Sequence, residues 1–106
     1  MRERSRERGA EFERRVARRV GGVRTGNSGR ATIDVSTPWL AIECKYRRSL
    51  PQWIKHAHAQ ASGGAGEDRL PIVILGEFGV NIRDAFVLIR FADFESWFIG
   101  GKNDTN

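Results

Sequence analysis

The chain has 106 residues, with 18 Lys or Arg and 13 Asp or Glu, and carries a formal net charge of +5. Because domains typically contain roughly 100–200 residues, this length predicts one domain over residues 1–106. Hydrophobic residues make up 40% of the chain, which excludes wholesale disorder, and no apolar run approaches the roughly 20 residues of a membrane-spanning helix.

The positive charge is concentrated in the first part of the chain. Residues 1–60 contain 14 basic and 6 acidic side chains, whereas residues 61–106 contain 4 and 7. This asymmetry indicates a polyanionic partner such as nucleic acid, and a merely soluble basic domain is the alternative. The charged N-terminus and the single cysteine, Cys44, predict a cytoplasmic protein in a reducing compartment, without a membrane partner.

The first predicted elements are an arm and a helix. Residues 1–8 alternate Arg and Glu without apolar partners, which predicts a mobile basic arm or a loose first helical turn. Apolar residues then recur with helical spacing from Gly9 to Val20, and Gly21-Gly22 is expected to end the helix.

A turn-rich loop over residues 23–30 precedes two predicted strands, Ala31–Ser36 and Trp39–Arg47. Their connection is short enough for an antiparallel hairpin. A second helix is expected over residues 51–61, where Pro51 suits the first turn.

The second half of the chain predicts two more strands and a terminal helix. The apolar run over residues 70–78 is typical of a strand covered on both faces, and residues 85–91 form another strand. Phe94, Trp97 and Phe98 have the spacing of a short helix. The order α-β-β-α-β-β-α predicts an α/β fold with a central mixed sheet flanked by helices.

Acidic and basic side chains meet in the predicted hairpin. Alternation along the strands places Asp34 opposite Ile33 and Val35, and it puts Glu43 and Lys45 on one face, about 7 Å apart. Paired strands would bring the two carboxylates within metal-bridging reach, and hard cations such as Mg²⁺ prefer oxygen ligands. The alternative is an ordinary salt bridge on a solvated face.

A third carboxylate belongs to the first helix. Glu13 falls inside the apolar stripe, between Val20 and Ala17, whereas Glu11 falls on the opposite side. An inward-facing carboxylate is costly without a partner, which a metal ion or Lys45 could supply. A salt bridge to a neighbouring arginine is the alternative.

These motifs resemble those of the archaeal-type Holliday junction resolvases in the PD-(D/E)XK nuclease superfamily. The matching segments are Gly9-Ala10-Glu11-Phe12-Glu13-Arg14, Arg24 with the Gly/Ser loop through Ser28, Ile33-Asp34-Val35, and Ala41-Ile42-Glu43-Cys44-Lys45. By motif the similarity covers roughly residues 8–61, and it covers the remainder by element order only. The sequence departs from the superfamily pattern at Ile33, where the nominal residue is proline.

The resemblance implies a restriction-endonuclease-like fold and a Mg²⁺-dependent enzyme, with Mn²⁺ as a substitute ion. It implies that Asp34 and Glu43 bind the metal, Lys45 is the catalytic lysine and Glu13 is the helix carboxylate. Ser28 matches the loop serine, Gln60 matches a helical glutamine near the metal site, and the backbone carbonyl of Cys44 is a further metal ligand. The compact chain would suit a phage-encoded member.

The predicted substrate is a four-way DNA junction cut by paired phosphodiester hydrolysis in a homodimer. Phe91, Phe94, Trp97 and Phe98 are expected either to be a docked core helix or to contribute to the dimer contact. His56 and His58 lie too far apart around a helix to share one ion, and we expect them to contact solvent or phosphate. The side chains expected to contact the DNA backbone are Arg4, Arg6, Arg8, Arg14, Arg24, Arg30, Arg47, Arg48 and Lys55.

Two other functions fit the same residues. One is a nicking or restriction-type endonuclease acting on duplex or flap DNA. The other is a non-catalytic basic DNA-binding protein, in which the carboxylates form only salt bridges.

Overall fold

The structure is a computed structural model and describes residues 2–25 and 33–100. The chain divides into an N-terminal unit, Met1–Arg48, and a C-terminal unit, Ser49–Asn106. The N-terminal unit contains one helix and the C-terminal unit several, and each has a small antiparallel sheet, so the α/β class is confirmed. The single nuclease domain stays a prediction. Among residues 2–25 and 33–100, no helix combines the length and the apolar composition needed to cross a membrane.

Helix α1 covers Arg2–Val20 and packs on the first two strands of the N-terminal unit. Of the two alternatives for residues 1–8, the helical one matches from Arg2 onward, with a continuous helix in place of one loose turn. Arg and Glu are both strong helix formers, and opposite charges three residues apart, as in Arg4 and Glu7, support a helix without apolar partners.

Two glycines end α1. Gly21 has a φ of 70°, a left-handed conformation that favours glycine. The Gly22 N–H donates to the Ala17 carbonyl over 2.8 Å, and the Gly21 N–H donates to the Arg18 carbonyl over 3.4 Å. These bonds form the helix-ending motif in which a left-handed glycine satisfies the last carbonyls, so the predicted end of the helix is confirmed.

The N-terminal sheet has the order β1-β2-β3 and is antiparallel throughout. Its strands are β1 (Val23–Arg24), β2 (Val35–Ser36) and β3 (Ala41–Ile42). β1 lies inside the segment predicted as a loop. These residues form a strand because their backbone pairs with β2, with Val23 opposite Ser36. Of the predicted segments, Ser28, Arg30 and the start of the first strand lie outside the described residues.

The β2–β3 connection confirms the predicted hairpin. The Thr37 hydroxyl accepts hydrogen bonds from the backbone N–H groups of Trp39, at 3.2 Å, and Leu40, at 2.9 Å, and so stabilises the turn. The strands are shorter than predicted, because paired backbone ends at Ile42 rather than at Arg47.

The buried apolar side chains of the described residues are Ala17, Val20 and Val35. Val35 is fully buried, in the middle strand of the sheet, and the two others come from the inward face of α1. The core of the N-terminal unit therefore lies between α1 and β2.

Helix α2 covers Gln52–Ala65 in the C-terminal unit and is longer than the predicted 51–61. A helical glycine costs only about 1 kcal/mol relative to alanine, so Gly63 and Gly64 do not stop the helix. The Arg69 side chain donates to the carbonyls of Ala65 and Gly64 and satisfies the helix end instead.

Strands β4 (Val73–Leu75) and β5 (Phe86–Leu88) form an antiparallel pair in the C-terminal unit. The expectation of a strand covered on both faces over residues 70–78 is wrong, because Ile74 is 50% exposed. An antiparallel pair can leave one face uncovered, and the exposed Val87 lies directly opposite Ile74.

The last described residues form helix α3 (Phe91–Phe94) and a π-helical turn over Glu95–Ile99. All strand pairs in residues 2–25 and 33–100 are antiparallel and belong to two sheets, in place of the one mixed sheet predicted. Sequence neighbours form both sheets, and such neighbours pair antiparallel without a crossover connection.

Replacing Gly22 tests the contact between the end of α1 and β2. An alanine Cβ there would lie 2.7 Å from the Ser36 carbonyl oxygen and 2.8 Å from Thr37 Cγ2. We expect Gly22→Ala to lower the free energy of unfolding by about 1–3 kcal/mol, because the backbone must move.

Gly9→Ala is the matched control, because nothing lies within 4 Å of its added Cβ and the residue is in α1. It should raise the free energy of unfolding by about 0.5–1 kcal/mol through helix propensity. Urea denaturation measures both changes, and equal stability of the two variants would contradict the close approach.

Candidate active site

Backbone hydrogen bonds to two neighbouring segments fix the position of Asp34. Its carbonyl accepts from the Thr25 N–H at 3.0 Å, and its own N–H donates to the Ile42 carbonyl at 2.8 Å. Its carboxylate oxygen Oδ2 accepts the Cys44 N–H at 2.8 Å. These hydrogen bonds extend the β-sheet pairing by one residue and join Asp34 to the segment that follows β3.

Glu43 and Lys45 lie in that segment, beyond the end of β3. The Lys45 Nζ is 3.3 Å from Glu43 Oε2, and the two side chains are 65% and 51% exposed. This is the ion pair that the salt-bridge alternative predicts. Exposed pairs contribute only about 0–1 kcal/mol, so the contact leaves both side chains able to take other partners.

Glu13 faces inward on α1, as the helical wheel predicts. Its side chain is 22% exposed, whereas that of Glu11 is 50% exposed and pairs with Arg14 at 3.1 Å. The partner of Glu13 is Arg24 on β1, whose Nε donates to Oε1 over 2.7 Å. Of the predicted partners, the arginine alternative therefore matches, although Arg24 comes from a strand rather than from the same helix.

The surroundings of the Cys44 thiol raise its pKa. Burial raises its pKa, and the negative charges of Asp34, Glu13 and Glu43 raise the pKa further. Regular strand alternation would put Cys44 on the face opposite Glu43 and Lys45, but that alternation ends at Ile42. Carboxylates from α1 and from the residues next to β2 and β3 thus contribute to the raised pKa of one thiol.

The chemistry of the donor set fits a hard divalent cation, because carboxylate oxygens are the ligands that Mg²⁺ prefers, and the hydrogen bond from Cys44 brings Asp34 beside the segment that holds Glu43. In residues 2–25 and 33–100, however, no three His, Cys, Asp or Glu side chains are close enough together to hold an ion as they stand. Glu13 contacts Arg24 and Glu43 contacts Lys45 in this arrangement.

The residues predicted to contact DNA have different surroundings. Arg24 is half-buried against Glu13 rather than free on the surface. Lys55 and Gln60 are exposed on α2 of the C-terminal unit. Ser28 and Arg30 lie outside the described residues. The remaining predicted contacts are exposed in the N-terminal unit: Arg4, Arg6, Arg8, Arg14, Arg47 and Arg48.

One pair of titratable residues was not predicted from the sequence. His58 Nε2 lies 3.8 Å from Asp93 Oδ2 in the C-terminal unit, and their side chains are 18% and 21% exposed. Arg90 lies 3.6 Å from the other oxygen of Asp93, and Ser62 Oγ lies 3.5 Å from His58 Nδ1. The spacing of His58 and Ser62 on a helix is a local signal, whereas the contact with Asp93 depends on tertiary packing.

No family model matches this chain, and searches of curated proteins and of solved structures found no match either. The resemblance to junction resolvases therefore stays a prediction that depends on the motifs and on the geometry above.

The reactivity of Cys44 tests the carboxylate cluster without a substrate. A raised thiol pKa means less thiolate near pH 8, so alkylation by iodoacetamide should be slower than for an unperturbed cysteine. Asp34→Asn removes one negative charge and should lower the pKa and speed alkylation. Because the chain has one cysteine, mass spectrometry of the whole protein measures the rate.

The matched control is Glu11→Gln, which removes a carboxylate of α1 that is not among the charges acting on the thiol. Its alkylation rate should equal that of the parent protein. Equal rates for Asp34→Asn and Glu11→Gln would show that Asp34 does not act on Cys44.

Proposed function

We propose that the chain is a metal-dependent, structure-selective DNA endonuclease that resolves four-way junctions by paired phosphodiester hydrolysis. The observation that carries this proposal is the hydrogen bond of 2.8 Å from the Cys44 N–H to the Asp34 carboxylate, which brings Asp34 beside the segment where Lys45 Nζ lies 3.3 Å from Glu43. A basic surface on the same unit supplies affinity for the phosphate backbone. The restriction-endonuclease-like arrangement of the whole fold belongs to the same proposal.

The proposal gives the carboxylates the task of holding Mg²⁺, or Mn²⁺ as a substitute. When bound, such an ion polarises a phosphoryl oxygen and lowers the pKa of a coordinated water. Asp34 is the best-positioned ligand, because three hydrogen bonds hold its backbone and side chain. Glu43 lies directly after β3 of the same sheet, and it would give up its contact with Lys45 in order to bind the ion. The Cys44 carbonyl is a third candidate ligand.

Lys45 and Glu13 have supporting tasks. An ammonium group near the attacked phosphate can orient the water and offset negative charge as the phosphorane forms. Exposure of Lys45 leaves its ammonium group accessible to a substrate phosphate. Glu13, held at 2.7 Å by Arg24, completes the acidic cluster from the side of α1.

Exposed aromatic residues support the homodimer that paired cuts require. Phe91, Trp97 and Phe98 are each at least two-fifths exposed at the end of the described chain, and Phe94 contacts Phe98 with ring centroids 5.4 Å apart. Aromatic side chains are enriched at protein interfaces. We place the dimer contact in the last strand and this terminal segment.

The ion pairs favour a second candidate, a non-catalytic DNA-binding protein. Glu13 contacts Arg24 and Glu43 contacts Lys45, so two of the carboxylates already have cationic partners. Such a protein would bind four-way junctions, and it would not cleave them in the presence of Mg²⁺ or Mn²⁺.

Cleavage of a labelled four-way junction separates the two candidates. The parent protein should nick the junction in the presence of Mg²⁺ or Mn²⁺, and Asp34→Asn, Glu43→Gln and Lys45→Ala should each reduce the rate about a hundredfold or more. Both carboxylate variants should still bind the junction in a gel-shift assay, because removal of an anionic charge does not weaken contact with phosphate.

Glu67→Gln is the matched control, since it removes an exposed carboxylate from the turn after α2 and should leave cleavage unchanged. Cleavage that persists in Asp34→Asn and Glu43→Gln would contradict these assignments. Junction binding without any cleavage by the parent protein would support the non-catalytic candidate.

Substrate choice separates a resolvase from a nicking or restriction-type enzyme. We expect the four-way junction to be cut faster than a flap or a linear duplex of the same sequence, because contacts to the phosphate backbone distinguish shape more than sequence. Single-turnover cleavage of the three substrates at one salt concentration measures the preference. Equal rates on duplex and junction would contradict selectivity for structure.

A further inference from the structure

An open groove of about 370 Å³ runs along one face of α1 and ends at Tyr46. Its lining residues on α1 follow the spacing of a single helix face. They contribute three guanidinium groups and two carboxylates beside one aromatic ring: Arg4, Glu7, Arg8, Glu11, Arg15 and Tyr46. None of the metal-ligand candidates lines this groove.

The Tyr46 ring is held in place but remains accessible. It stacks on Phe12 with ring centroids 4.7 Å apart and an angle of 21° between the planes. Tyr46 is nevertheless 47% exposed, so the part of the ring that Phe12 does not cover faces the groove and solvent. An aromatic ring fixed on one side and open on the other is a stacking platform.

The charges around this platform favour an anion. Arg8 and Arg15 lie four residues before and three residues after Phe12, on the same helix face. The charge of Glu11 is offset by Arg14 at 3.1 Å and Arg18 at 3.8 Å. Helix α1 as a whole contains eight arginines and four glutamates. An anionic ligand with a flat ring therefore matches the groove better than a cationic or aliphatic one.

We propose that this groove binds an unpaired nucleotide of DNA, whose base stacks on Tyr46 while the adjoining phosphates contact Arg8 and Arg15. Aromatic side chains beside cationic ones are the usual means of binding single-stranded nucleic acid without sequence preference. The position of the groove deepens the proposed nuclease function and rests on it, because Tyr46 follows Lys45 in the chain and Phe12 precedes Glu13. The groove and the acidic cluster therefore use adjoining residues of the same helix and of the same segment after β3.

Binding of short single strands in EDTA tests the groove without cleavage. The probe is a fluorescent thymidine oligonucleotide of about ten nucleotides, a length within the usual site size of such surfaces. We expect Tyr46→Leu, which keeps an apolar contact with Phe12, to weaken binding about tenfold or more, because it removes base stacking. Tyr46→Phe keeps the ring and should bind within about twofold of the parent protein.

Two further comparisons distinguish binding in the groove from binding by basic charge elsewhere on the protein. Arg8→Gln should weaken binding more than Arg83→Gln, which removes an exposed arginine of the C-terminal unit. An oligonucleotide of the same length without bases should bind the parent protein about as weakly as the thymidine strand binds Tyr46→Leu. Equal affinity for the strands with and without bases would overturn the proposal, and this comparison needs no variant to fold.

The single tyrosine allows a direct test of contact. With 3-fluorotyrosine at position 46, the thymidine strand should shift the one ¹⁹F resonance, whereas the strand without bases should not. A poly-glutamate peptide that shifts the resonance equally at matched charge would overturn the proposal in favour of an acidic peptide. If this test fails while the protein still cleaves the junction, only the proposal for the groove is contradicted. If the ¹⁹F resonance shifts as expected but the junction is not cleaved, only the nuclease proposal is contradicted.

Discussion

Burial of Val35 determines how the N-terminal unit is built. Its side chain is the one fully buried large side chain among the described residues, and it lies in the middle strand of a three-stranded sheet. Asp34, the residue before Val35, lies just outside β2, and its carbonyl and N–H bond to Thr25 and Ile42 on either side. The close approach of Gly22 to Ser36 keeps α1 against the same strand. The packing of one valine therefore joins the helix that carries Glu13 to the strand that Asp34 precedes.

Charge balance is the second constraint on this unit. Three carboxylates acting on one thiol repel one another unless cationic or hydrogen-bonding groups offset them. Arg24 does this for Glu13, the Cys44 N–H for Asp34, and Lys45 for Glu43. Arg24 lies on β1, whereas Cys44 and Lys45 both follow β3, so the cluster can form only when the helix and all three strands have come together. A divalent cation would offset the same charge with a single group.

Local patterns in the sequence predicted part of this arrangement. The inward direction of Glu13, the glycine end of α1 and the hairpin between β2 and β3 follow from helical periodicity and turn chemistry, and the structure agrees with each. The strand lengths were overestimated, because an apolar or alternating run does not show where backbone pairing stops. The same error affects Glu43 and Lys45, which alternation placed on one face of a strand that in fact ends at Ile42. The contacts of Arg24 with Glu13, Phe12 with Tyr46 and His58 with Asp93 join residues far apart in sequence, and a single sequence carries no signal for such contacts.

The two ion pairs of the acidic cluster differ in how strongly dissolved ions weaken them. Lys45 and Glu43 are largely exposed, and the Debye length is only about 8 Å at physiological ionic strength, so added electrolyte screens their attraction. Arg24 and Glu13 are mostly shielded from solvent and are joined by a short hydrogen bond, so screening affects them less. Rising ionic strength therefore releases Glu43 first and leaves Glu13 in place. The cluster would lose its cationic partners one at a time, beginning at its solvent-facing edge.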